Sequence, residues 1–281
     1  DCDLMVGMHP NFKVHVHSNR PDQVLGWFLT HDCQISEVHV HNMKLQSDER
    51  NEKIEAQLEA EHKPLGVVAV APGSGTAKIL ESLGVDVVIS GGQTMNPSTA
   101  DILAAVNKVN ADSVVILPNN KNIIMAAQAC VEVSEKPCAV VATTSVPQAF
   151  SAMFGFDGEA SLEENVEAMT EAFAEVKTGE VTHAIKDSKD AHGNPIKDGD
   201  VIGIADGSIE AVGSDVSDVV LALLETMEAD DADTMTILAG EDFSDEDLEA
   251  LVARIEEAYE DLEIDPHRGE QALYPVVFSL E

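Results

Sequence analysis

The sequence predicts an α/β protein in which a parallel sheet is followed by a mixed sheet. Three patterns carry that prediction. Short, continuous, β-branched runs at Val67–Ala71, Val87–Ser90, Val114–Leu117 and Ala139–Ala142 alternate with helical stretches. These runs lack polar alternation, the mark of strands covered on both faces. Beyond Thr178 the strands are separated by turn residues, among them Asp206-Gly207, a hairpin signal.

Taken in order, residues 1–46 read as strand, strand, helix, strand. Cys2 to Val6 and Phe12 to His17 flank the turn residues His9, Pro10 and Asn11. A helix from Pro21 to Thr30 tolerates Pro21 in its first turn, and Glu37 to Asn42 predicts a further strand. Residues 47–64 predict a linker helix, charged on most faces, with Ile54 and Leu58 as sparse apolar positions and Pro64 as its stop. The parallel-sheet unit is expected over 65–177, with helices at Thr76–Leu83, Thr99–Asn110 and Ile123–Val133. A fourth helix starts at Ser161, which forms a capping box with Glu164, and runs to about Val176. The mixed-sheet unit is expected over 178–281. Its strands fall at 181–186, 201–205, 209–212, 234–239 and near 262–266 and 274–280; its helices fall at 215–228 and 244–260. The chain opens on Asp1 inside a strand pattern, so it is expected to be cut from something longer.

With 16 basic and 52 acidic residues, the formal net charge is −36. Such a surface repels phosphate backbones and anionic lipid heads, which places nucleic-acid and membrane-surface roles last. Solubility alone also accounts for the charge. No apolar stretch approaches the roughly 18 residues of a spanning helix, and no signal peptide opens the chain. Cys2, Cys33, Cys130 and Cys138 form no CxxC and suit a reducing cytoplasm better than a disulfide framework.

Two places can carry chemistry. Val14-His15-Val16-His17 lies on a predicted strand, where alternate side chains share a face at about 6.5–7 Å, so two imidazoles converge. Zinc wants three or four protein ligands, which makes the pair half a site. Val38-His39-Val40-His41 repeats the pattern, and His15, His17, His39 and His41 would form a four-histidine site if their strands were neighbours. Alternating histidines on a solvated sheet face account for the motif equally well.

The second place is the rim beyond the carboxyl ends of the parallel strands, where ligands bind in such sheets. It carries Gly91, Gly92, Gln93, Thr94, Asn96 and Ser98 after one strand, and Asn119, Asn120 and Lys121 after the next. Helix N-termini aimed into such a crevice favour a carboxylate or phosphate. Caps and tight turns, which need the same residue types, account for about half of them. No GxxxxGK[ST], GxGxxG after the first strand, GxSxG or HExxH is present, so a self-contained kinase or dehydrogenase is not expected.

The runs Gly84 to Ser98 (GVDVVISGGQTMNPS) and Val114 to Met125 (VVILPNNKNIIM) resemble the C-terminal domain of the large subunit of bacterial fatty acid kinase, a family also described as dihydroxyacetone-kinase-like. Val68 to Gly73, Val146 to Gln148, Glu175 to Thr182, Gly199 to Ile204 and Gly240-Glu241-Asp242 extend the likeness. Lys13 to His17 and Asn42-Met43 resemble the end of the family's middle domain. The resemblance implies a partial middle domain at 1–46, followed by a two-part domain with a DegV-like fold. It implies that an N-terminal domain binds ATP and magnesium, that His15 and His17 match a zinc or catalytic HxH pair, and that a DegV-like protein presents the fatty acid. The fatty acid's carboxylate then becomes an acyl phosphate. His39 and His41 depart from the family pattern, as does Gly269-Glu270-Gln271-Ala272-Leu273-Tyr274, where Gly-Gly-Gln-Pro-x-Tyr is usual.

On that resemblance the chain is expected to supply metal-binding and catalytic histidines and partner docking, and to be inactive alone. A fatty-acid-binding module, with Thr94, Asn96 and Ser98 gripping the carboxylate, is the alternative; a purely structural scaffold is a third reading. A small ketone remains an open substrate, and a homodimer through the N-terminal domain of the full-length protein remains an open assembly.

Overall fold

The computed structural model describes residues 3–8, 11–31, 34–40, 62–91, 96–190 and 193–281. The chain divides into two compact units, residues 1–60 and 61–281. The first unit contains an antiparallel hairpin of β1 (Asp3–Met8) and β2 (Asn11–Val16), with Asp3 opposite Val16 and Met8 opposite Asn11. Helix α1 (Pro21–Thr30) follows, with Pro21 in the first turn, where a missing N–H costs nothing. The strand expected from Glu37 is not formed over residues 37–40. Glu37 takes a φ of 53°, and that left-handed step breaks the extended course the alternating pattern suggests. The expected linker helix, Ser47 to His62, lies almost wholly outside the described residues.

In the second unit, β3 (Lys63–Ala71), β4 (Val87–Ser90), β5 (Ala111–Leu117) and β6 (Cys138–Val140) form a parallel sheet in the order β4-β3-β5-β6. Helices cover both faces, which is why β3 reads as one apolar run. Val67, Ala69 and Ala71 pack into one core with Leu80, Phe150, Met153 and Met169. Val68 and Val70 pack into the opposite one with Ile102, Val106 and Ile123. The helices are α2 (Ser74–Ser82), α3 (Thr99–Lys108), α4 (Lys121–Val133), α5 (Val146–Phe154) and α6 (Leu162–Ala172). Sequence reading misses α5. Seven of its nine residues are buried and none is charged, so this short helix lacks the charged face that marks α6 and Asp245–Ala258 in the sequence. Helix α6 carries the expected Ser161–Glu164 box but stops at Ala172, short of Val176.

The mixed sheet runs β11-β10-β7-β14-β12-β13, from β7 (Lys177–His183), β10 (Val201–Ala205), β11 (Ser208–Gly213), β12 (Thr234–Ala239), β13 (Glu263–Arg268) and β14 (Val276–Leu280). A two-residue ladder, β8 (Ser188–Lys189) with β9 (Pro195–Ile196), lies between β7 and β10 in sequence. Within this sheet β12 and β13 pair in parallel, and the other pairs are antiparallel. Asp206 (φ 48°) and Gly207 (φ 95°) both turn left-handed between β10 and β11, as the two-residue hairpin predicted by Asp-Gly demands. Helices α7 (Val216–Thr226) and α8 (Asp245–Ala258) cover one face through Leu223, Leu224, Leu251 and Ile255. Phe278 is fully buried in that core; a side chain at Gly179 would overlap its ring. No helix among the described residues is long and apolar enough to cross a membrane.

Candidate functional site

In the first unit, the strand alternation brings His15 and His17 together. Their Nε2 atoms lie 3.1 Å apart, with ring centroids at 5.0 Å and planes inclined by 72°. Two zinc–nitrogen bonds at a tetrahedral angle hold their nitrogens about 3.3 Å apart, so the pair has the spacing of two ligands on one ion. Both rings are exposed. Among the described residues no group of three or more His, Cys, Asp or Glu side chains is assembled to hold a metal. His39 therefore does not join the pair in such a group, and His41 lies outside the described residues. The donors present fit half of a zinc site.

In the second unit, the strand order reverses direction at β3, and the loops after β3 and β5 diverge there. A cavity of about 320 Å³ opens at that switch point. From the parallel half it is lined by Pro72, Gly73, Gly91, Asn119, Asn120 and Ser145, and from the mixed half by Glu180, Glu241, Glu270, Gln271, Leu273 and Tyr274.

Of the expected rim residues, Gly91, Asn119 and Asn120 line the cavity, and Gly92, Gln93 and Thr94 lie outside the described residues. Asn96 is exposed and does not line it. Ser98 is also exposed; its hydroxyl accepts from Asp101 N at 3.2 Å and caps α3 in a capping box. Lys121 does not line the cavity, and its Nζ donates to Asp206 O at 3.0 Å. Asn119 is fixed by its own bonds, Nδ2 donating to Val70 O at 2.7 Å and Oδ1 accepting from Thr143 Oγ1 at 2.6 Å. Asn120 caps α4 by accepting from Asn122 N at 2.9 Å. Capping and turn chemistry thus claims most of the polar rim. Replacing Ser98 by Ala should lower stability by about 1 kcal/mol and leave the crevice unchanged, as urea denaturation and the fluorescence of a crevice probe would report.

Sequence reading misses the acidic wall. Glu180, Glu241 and Glu270 come from the mixed half, and in a chain with 52 carboxylates no pair of them stands out. The signals available are Gly240-Glu241-Asp242 and the Gly269–Tyr274 departure. The N-terminus of α2, expected to face a ligand, is closed by the chain itself. Gly75 N and Thr76 N both donate to Gly269 O at 3.1 Å, and Ser74 Oγ donates to Glu270. Gly73, with a φ of 77°, lies so close to this loop that a side chain would overlap Gly269 O.

Burial raises the pKa of Glu180 above the ordinary carboxylate range, against the opposing pull of Lys121. Burial, and then Glu180 nearby, pushes Tyr274 up to about 12. With its pKa raised, Glu180 contributes stability that is fully present below the ordinary carboxylate pKa and lost as pH rises through the shifted value. Glu180→Gln should therefore be more stable than the parent at about pH 7.5, and the gap should close at about pH 4, as paired urea midpoints would measure.

A parallel sheet with its crevice at the switch point, joined to a mixed sheet, defines a DegV-type α/β fold. A DegV family protein from Corynebacterium glutamicum superposes with a TM-score of 0.55 at 14% identity, over 78% of this chain and 96% of that one. A fatty-acid-binding DegV family protein from Thermus thermophilus gives 0.54 at 12% identity, over 78% and 99%. The fatty acid kinase B3 protein of Streptococcus pneumoniae, loaded with linoleic acid, gives 0.50 at 14% identity, over 77% and 99%. These likenesses establish the fold.

The chain itself belongs to the FakA-like family of fatty acid kinase subunits. Residues 66–281 match the family's C-terminal domain and residues 1–50 its middle domain. Protein YloV of Bacillus subtilis is 39% identical over 285 residues, covering 100% of this chain and 51% of that protein. A Staphylococcus haemolyticus relative is 36% identical over 287 residues, covering 100% and 52%. The chain spans about half the length of the curated relatives it matches.

Proposed function

We propose that this chain is the docking and histidine-bearing part of a fatty acid kinase subunit, which phosphorylates a fatty acid carboxylate presented by a separate DegV-like carrier protein. ATP and magnesium belong, in this reading, to a nucleotide-binding domain outside these residues. Family membership across both matched regions is the observation that carries it. The pairing of His15 and His17 supports a role at the reacting carboxylate: two adjacent ring nitrogens can hold a metal between them or pass a proton. Zinc, with ligands beyond this pair, would polarise the carboxylate oxygen.

The rival reading is a fatty-acid-binding module. The cavity favours it by its size and by its apolar wall of Val70, Ile123, Val146, Leu238 and Val277. Its polar end opposes it. Glu180, Glu241 and Glu270 repel a carboxylate, and the α2 N–H groups that would receive one already bond Gly269. Titration calorimetry of this chain with a fatty-acid-loaded DegV-like protein should show binding, and the chain alone with ATP and that carrier should show no turnover. Turnover by the chain alone, or failure to bind the loaded carrier, would sink the docking assignment. An acyl chain co-purifying in native mass spectrometry would favour the module.

A further inference from the structure

One face of the mixed sheet carries a row of side chains that the docking assignment leaves unused. Glu180 on β7 stands directly opposite Val277 on β14, and Val277 stands directly opposite Leu238 on β12. Residues paired in this way point to one face, at about 4.8 Å per strand. All three line the crevice cavity. A carboxylate thus begins a row that continues as two aliphatic side chains over about 10 Å. Val70, Ile123 and Val146 add apolar wall from the parallel half.

Glu180 is half-buried, and its carboxylate has no hydrogen-bond partner among the described residues. Lys121, the cation that pulls on it, is engaged with Asp206 O at 3.0 Å and does not line the cavity. Two nearby donors are already spent. Asn119 Nδ2 donates to Val70 O at 2.7 Å and Gln271 Nε2 to Leu238 O at 2.8 Å. Gln271 is 2% exposed, and its Oε1 has no partner. Both unpaired groups are acceptors. Among the described residues no three His, Cys, Asp or Glu side chains gather to hold a metal, so the cation that suits Glu180 carries its own N–H donors.

We propose that this crevice binds a short primary alkylamine, its ammonium on Glu180 and its chain along Val277 and Leu238. An ammonium brings three donors and a full charge, and its bond to a carboxylate is roughly twice as strong as a neutral one. Burial disfavours the Glu180 charge, and a cation beside it reverses that penalty. Each methylene laid on Val277 and Leu238 leaves water for apolar surface. A fatty acid of equal length presents the same chain with the wrong charge. The proposal stands apart from the docking assignment, whose partner is a protein.

The test titrates the whole chain with n-hexylamine by calorimetry. Salt at about 0.15 M screens loose attraction to a chain of net charge −36. One hexylamine should bind per chain. Methylamine, which has the head without the chain, and hexanoate, which has the chain with the opposite charge, should each bind at least about tenfold more weakly. Glu180→Gln should weaken hexylamine by about tenfold or more. Glu163→Gln, an exposed change on α6, should leave it unaltered, and circular dichroism verifies that both variants are folded. Absence of saturable hexylamine binding, equal binding of hexanoate or methylamine, or parent-like affinity in folded Glu180→Gln would overturn the proposal.

Discussion

Replacing His15 by Ala in a full-length subunit carrying this chain should lower acyl phosphate formation by about 10²–10⁴-fold, the usual worth of a positioned acid, base or ligand. Because His15 is exposed on β2, the fold should be unaffected, with stability changed by no more than about 0.5 kcal/mol. His17→Ala should behave alike, since the two Nε2 atoms lie 3.1 Å apart. Lys13 shares their side of the strand by alternation, and Lys13→Ala should leave the chemical step near its parent rate. A coupled assay with ATP and a fatty-acid-loaded carrier, run alongside circular dichroism, separates lost chemistry from lost structure. Parent-like activity in His15→Ala would remove that histidine from the mechanism.

The second large effect is expected at Gly75, where α2 meets the Gly269 loop. A methyl group there would overlap Arg268 O and press on Gly269, both of them backbone. Backbone cannot swing aside as a side chain tip can. The loop must retreat, and the Gly75 and Thr76 N–H bonds to Gly269 O are strained or broken together. Overpacking and the lost bonds together should cost about 3 kcal/mol, or roughly 6–12 °C in Tm for a unit of this size. Gly158→Ala is the control: its new methyl would meet nothing nearer than the Phe156 ring at 3.8 Å, and it should stay within about 0.5 kcal/mol. Equal stability of the two variants would show that the loop is not held as described.

Much of the fold is legible in the sequence because its signals are local. β-branched runs, Ser161 with Glu164, and Asp206-Gly207 each act within a few residues, and each appears where expected. Two elements mislead for opposite reasons. Helix α5 is short, mostly buried and without a charged face, while residues 37–40 show a strand-like alternation that the backbone at Glu37 interrupts.

The site divides along the same line. Alternation along one strand suffices to place His15 beside His17, because side chains two apart on a strand share a face. The rim of the parallel sheet is also foreseeable from its strand-to-helix loops. What fills and charges that rim is not. Glu180, Glu241, Glu270 and the closing carbonyl of Gly269 all arrive from the mixed half, far along the chain from the loops and the helix end that they face.

The sequence by itself determined an acidic α/β chain with two sheets, its family, and the neighbouring imidazoles. Only the tertiary structure decided that the crevice is carboxylate-lined and that the α2 terminus is self-closed. The physical reason is range. Hydrophobic period and turn chemistry are properties of neighbours in sequence, whereas the electrostatics of a cavity belong to whichever distant segments the packing of two sheets brings to its wall.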